Sequence, residues 1–118
     1  MSPDPEEVEM RCLLKVSIPT DVGNDRIADG TLGRTIESIL NELKPEAAYF
    51  AEEQGLRTGF IVCNIEKESQ IPAIAEPWFL AFNARVEFHP AMTLADLKSA
   101  SPSFEKSARI YAAHRKAA

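Results

Sequence analysis

Cys12, Leu14, Val16 and Ile18 alternate with Leu13, Lys15 and Ser17, and this period of two predicts a strand over residues 11–18, closed by Pro19. Asp, Gly and Asn then crowd residues 20–33. Leu32, Ile36, Ile39, Leu40 and Leu43 follow at helical spacing and predict an amphipathic helix stopped by Pro45. Gly30 and Gly33 are expected to break an earlier helical turn from it. Residues 47–53 and 56–66 read as strands joined at Gln54-Gly55. On the second, Gly59, Ile61, Cys63 and Ile65 alternate with Phe60, Val62 and Asn64. A two-residue loop sets Tyr49 across from Phe60, whereas a three-residue loop with a glycine bulge sets Phe50 near it instead. The spacing slightly favours the first.

In the second half, Ser69 reads as a helix N-cap, with Pro72 tolerated in the first turn. Ile71, Ile74, Ala75, Trp78, Phe79 and Phe82 make an apolar helix. Pro77 is expected to interrupt it, because proline has no donor for the carbonyl four residues back. Residues 84–88 form a fourth strand, with Val86 and Phe88 on one face, Arg85, Glu87 and His89 on the other, and Pro90 at its end. Thr93 caps a short helix through Lys98, Ser101-Pro102 breaks it, and Phe104, Ala108 and Tyr111 mark one side of a terminal helix. The predicted order is βαββαβ plus C-terminal helices. This is an α+β fold whose right-handed crossovers put both main helices on one face of a four-stranded antiparallel sheet.

The chain has 118 residues, of which 45% are hydrophobic and 26% charged, enough for one domain with its own core. No apolar run approaches the ~18–20 residues that span a bilayer, so no membrane association is expected. The N-terminus is acidic (Asp4, Glu6, Glu7, Glu9) and has no apolar stretch, which argues against a secretory signal and for a cytoplasmic protein. Residues 1–9 are expected to be a disordered tail, and residues 10–118 one domain with a helical extension over 93–118. The net charge of −5 sits mostly in that tail. The remainder is close to balance and has no basic stripe interleaved with aromatics, so nucleic acid is not an expected partner.

Burial imposes a further requirement. With both helices on one sheet face, Leu14, Val16, Ile61, Ile65, Val86 and Phe88 belong beneath them. The opposite face then carries Leu13, Phe60 and Val62 among Lys15, Asn64, Glu87 and His89. Left wet, each of those three apolar residues forfeits on the order of 1.5–3 kcal/mol. Two copies packed face to face would hide them, so a homodimer of isologous symmetry is expected.

The run Cys12-Leu13-Leu14-Lys15-Val16-Ser17-Ile18-Pro19 and the run Gly59-Phe60-Ile61-Val62-Cys63-Asn64-Ile65 resemble the dimeric α+β-barrel superfamily of ferredoxin-like subunits. So do Ile71-Pro72-Ala73-Ile74, Trp78-Phe79-Leu80 and Arg85-Val86-Glu87-Phe88-His89-Pro90. The likeness spans roughly residues 10–95 and is nearest to the muconolactone-isomerase-like members, through the hairpin, the Pro-aromatic helix end and the final strand. It implies a ligand pocket between sheet and helices or in the barrel lumen. It also implies an activity drawn from isomerases, cofactor-free monooxygenases, dehydratases or proteins without known activity. None of the isomerase's functional residues matches one by one.

Three constellations bear on chemistry. Glu87 and His89 lie two apart on one strand face, ~6.6 Å along it, too far to hydrogen-bond readily but able to flank one substrate atom. The carboxylate would favour imidazolium and poise His89 for proton transfer near neutral pH. Lys15, on the neighbouring strand and the same face, would clamp an enolate or carboxylate. Alternatively, Lys15, Arg85 and Glu87 only form ion pairs across a dimer seam. Trp78, Phe60, Tyr49 and Asn64 are the candidates to line an aromatic pocket for a small, partly aromatic or ring-shaped organic ligand; ordinary core packing explains the aromatics too. Asp29-Gly30-Thr31-Leu32-Gly33-Arg34-Thr35 lacks both the P-loop ending and a dinucleotide spacing, and reads as a kinked helix start. His89 and His114 lack further ligands at metal spacing, so no metal is expected, and no cofactor either. Cys12 and Cys63 read as buried reduced thiols, although a bridge between neighbouring strands stays open. The candidate functions are therefore a small-molecule binder with isomerase-like proton transfer, a non-catalytic binding or assembly module, and a cofactor-free monooxygenase.

Overall fold

A computed structural model describes residues 9–112. Most of the acidic tail lies outside them, as do His114, Arg115 and Lys116. The architecture is α+β, with one four-stranded antiparallel sheet and its helices. Strand β1 (Met10–Ile18) is followed by helices α1 (Thr20–Ala28) and α2 (Leu32–Leu43), then by strands β2 (Ala47–Glu53) and β3 (Leu56–Ile65). A single 3-10 turn (Glu68–Gln70) leads into α3 (Ile71–Phe82), strand β4 (Arg85–Pro90) and the short helices α4 (Leu94–Ser99) and α5 (Ser101–Ser107). A π-helical turn over Ala108–Ala112 follows. Across the sheet the strands run β2-β3-β1-β4.

Register assigns each side chain to a face. Leu14 stands opposite Ile61 on β3 and Phe88 on β4, and Val16 opposite Gly59 and Val86. Those residues point at the helices. Leu14, Val16 and Ile61 are almost fully buried there against Trp78 and Phe82, whose rings lie 6.2 Å apart. Each such side chain contributes about 1.5–3 kcal/mol through burial. Gln54-Gly55 is a two-residue loop, both residues with positive φ, and Tyr49 pairs with Phe60 as the shorter turn requires.

Several local expectations need correction. Residues before Gly30 form a complete helix rather than one turn. Arg26 in it donates to the Ala81 carbonyl at 3.1 Å, tying α1 to the end of α3. Gly30, at φ 78, makes the break, while Gly33 lies inside α2. Ser69 is not a cap. It sits in the 3-10 turn, and the Gln70 carboxamide accepts from the backbone N–H groups of Glu66 and Lys67 instead. Pro77 does not interrupt α3, which runs through it. Ile74 and Trp78 anchor the turns on either side in the core, and that packing outweighs one lost helical hydrogen bond. Thr93 does cap α4, in a reciprocal box with Asp96. From Ser101 to Ala112 every residue is exposed, so the apolar side of the terminal helix is not buried against the other described residues.

Candidate functional site

Helix α2 carries a strong apolar stripe, yet none of its residues is fully buried. Leu32, Ile36, Ile39, Leu40 and Leu43 lean on the core without closing onto it. The sheet beneath is also short of side chain, since the position facing Val16 on β3 is Gly59. Between them lies a cavity of about 490 Å³. Its apolar wall is Val16, Ile18, Leu32, Ile36, Phe50 and Trp78, and its polar rim includes Thr20, Glu52, Arg57 and Thr58.

The rim is ordered by its own hydrogen bonds. The Arg57 guanidinium crosses α1, donating to Asn24 Oδ1 at 3.0 Å and, at the limit of 3.5 Å, to the Thr20 carbonyl. Gly23 makes that crossing possible, because a Cβ there would collide with the Arg57 head. Glu52 accepts from the Gly55 N–H at 2.9 Å. Trp78 is 1% exposed, and its indole N–H has no acceptor among the described residues. The cavity therefore combines an apolar interior with a polar mouth, an arrangement suited to holding a small organic molecule.

The expected aromatic pocket is divided. Trp78 is on the helix side of the sheet, whereas Tyr49 and Phe60 face each other on the uncovered side, with Tyr49 70% exposed. Asn64 borders a different hollow, between α2 and α3. A β-sheet lies between the two sets, and they cannot share one ligand. The cavity residues missed at first are Phe50, Gly59, Arg57, Leu32 and Ile36. The signal was available in the strand alternation, because Gly59 leaves a gap on a face otherwise occupied by Ile61 and Cys63.

Lys15, Glu87 and His89 do gather on the uncovered face. Lys15 is the register partner of Glu87. His89 Nε2 lies 3.3 Å from Glu87 Oε1, so the side chains meet along the strand more closely than backbone spacing suggests. Lys15 also pairs with Glu53, and Arg85 Nε lies 3.4 Å from Glu87. Lys15, Glu53, Arg85 and Glu87 border an open hollow, from which His89 is absent. Each charge in this group has a protein partner.

Both cysteines are free and buried, paired in register across β1 and β3 on the helix side. Burial pushes the Cys12 thiol up, and burial together with neighbouring Cys12 pushes Cys63 up to about 11. They are protonated and poorly nucleophilic at neutral pH. The Asp29 carboxylate is held below its usual range, chiefly by the Thr31 hydroxyl, as befits a turn between two helices. Among the described residues no group of three His, Cys, Asp or Glu is arranged to hold a metal ion. No helix there is long and apolar enough to cross a membrane. Comparison with protein-family models, curated proteins and solved structures gives no match.

Proposed function

We propose that this protein binds a small, mostly apolar organic molecule, partly aromatic or ring-shaped, in the cavity beneath α2, and that it works as a homodimer. The cavity itself carries the reading. At about 490 Å³ it falls within the range of roughly 300–1,000 Å³ usual for ligand sites. The space is a cleft open on one side, so a ligand can enter it from solvent and bury apolar surface against its wall.

The resemblance to the dimeric α+β-barrel superfamily is part of the same proposal. Helices between β1 and β2 and between β3 and β4, with strands in the order β2-β3-β1-β4, support a ferredoxin-like βαββαβ subunit. The dimer draws on the uncovered face, where Leu13, Phe60 and Val62 are only half-buried beside exposed Tyr49. The exposed apolar residues of the C-terminal helices, among them Leu94, Phe104 and Tyr111, would gain a surface to pack on as well.

Isomerase-like proton transfer is the second reading. It draws on the 3.3 Å approach of His89 to Glu87, on a face that a second copy would enclose. Against it stands the mutual pairing of these charges, which suits a non-catalytic role in fixing subunit register.

The binding reading is tested by titrating the protein with fused-ring compounds while following Trp78, the single tryptophan. A saturable change in its emission is expected, weakened by Ile36→Phe, which fills the cavity. A flat response across such a panel rejects the proposal. For the second reading, lactones and quinols are offered to wild type and His89→Ala; equal turnover, or none, eliminates proton transfer by His89.

A further inference from the structure

Helices α4 and α5 and the π-helical turn after them form an arm with only Ala100 between its helices. Ala100, at φ −86 and ψ 1, stays beside the helical region. Pro102 has no N–H for the Lys98 carbonyl, and the Ser101 hydroxyl donates to that carbonyl instead, at 2.7 Å. Along the arm Leu94, Leu97, Ser101, Phe104, Ala108 and Tyr111 recur at alternating steps of three and four, the heptad spacing of a helix seam. All of them are exposed. We propose that the arms of two copies of this chain pair antiparallel across a two-fold axis, seam against seam.

An isologous contact has to match itself, and this stripe does. With Phe104 set over the second copy's Ser101, Leu97 falls over its Ala108 and Leu94 over its Tyr111. In the first two layers a large side chain meets a small one, which lets the helices interlock. The same register brings Lys98 alongside the second copy's Glu105, and Glu105 alongside its Lys98, at positions flanking the seam. A parallel pairing would stack Ser101 on Ser101 and Phe104 on Phe104 and would join no opposite charges. Asp96 and Glu105 interrupt the basic residues Lys98, Lys106 and Arg109, a mixed pattern that suits a protein partner better than an anionic bilayer. The inference rests on the homodimer reading: helices this short are marginal alone, and the arms clasp a dimer whose main contact is the uncovered sheet face.

Leu97→Cys/Ala108→Cys tests the register. The two positions lie ~16 Å apart along one helix, so they bridge only between copies. The native Cys12 and Cys63 are buried and take no part. Oxidised glutathione is expected to link the double variant into covalent dimers on a non-reducing gel and to leave each single variant unlinked. Charge supplies a second readout. Lys98→Glu is expected to weaken dimerisation about three- to tenfold in sedimentation, and Lys98→Glu/Glu105→Lys to restore it. If wild type sediments as a dimer while the double cysteine variant stays unlinked, the arm proposal is overturned and the dimer survives. Equal linking in the single variants marks chance collision and overturns it as well. If wild type is a monomer and nothing links, both readings are overturned. An unlinked arm that binds vesicles of phosphatidylserine and phosphatidylcholine overturns pairing in favour of a membrane.

Discussion

Phe50 and Gly59 face each other across β2 and β3, and a Cβ at residue 59 would stand 3.0 Å from the Phe50 ring. The ring thus occupies the neighbourhood of a side chain that is not there, roofing the glycine from the next strand. The glycine keeps the cavity floor low between Val16 and Phe50, and its φ is not in the left-handed region. Space rather than backbone conformation is what requires it.

Gly59→Leu adds no backbone strain of its own, but its Cβ presses on the Phe50 ring, so the side chain takes up cavity space as that ring gives way. It is expected to weaken binding of the fused-ring compounds about tenfold or more, equivalent to ~1.4 kcal/mol, while circular dichroism stays native. Calorimetric titration measures this directly. Unchanged affinity would mean that the ligand site lies elsewhere.

Val62 stands half-buried on the uncovered face, paired with Leu13 on β1 and Ala47 on β2. A carboxylate there would be desolvated at a face-to-face dimer seam and tolerated on a wet monomer surface. Val62→Glu is expected to sediment as a monomer at micromolar concentration where wild type sediments as a dimer. A wild-type monomer under those conditions removes the dimer.

Lys15 and Glu53 pair with side chains 22% and 35% exposed. Removing the lysine alone leaves a carboxylate with a buried oxygen and no counter-charge. Lys15→Met is expected to cost about 1–2 kcal/mol, reduced from a fully buried pair by partial solvation. The double variant Lys15→Met/Glu53→Gln should recover part of that loss. Urea denaturation of wild type, Lys15→Met, Glu53→Gln and the double variant gives the coupling, and additive effects would show that the pair contributes nothing.

The thiols set an alkaline limit. An unfolded cysteine ionises near pH ~8.5, whereas Cys63 keeps its proton to about 11. The Cys63 contribution is complete below the lower value. Between the two, the unfolded chain binds fewer protons than the folded one, so stability falls as pH rises. Cys63→Ala is expected to flatten this decline by on the order of 3 kcal/mol between pH ~8.5 and ~11. Denaturant midpoints at neutral pH and across that window measure the slope.

The alternation along β1 and β3 and the turn at Gln54-Gly55 determined much of the fold by themselves. A period of two leaves one way to bury Leu14, Val16 and Ile61 together, and a two-residue loop fixes Tyr49 opposite Phe60. Trp78 was legible as a buried side chain for a similarly local reason, lying on the apolar side of a helix. Its grouping with Tyr49, Phe60 and Asn64 failed because aromatic character says nothing about which side of a sheet a residue from another element will reach. Likewise Pro77 advertises a broken helix in sequence, but the core contacts of Ile74 and Trp78 hold α3 through it. The height of α2 above Gly59, and with it the cavity, was decided only by tertiary structure. It depends on how three distant segments pack, and no residue's neighbours in the chain record that distance.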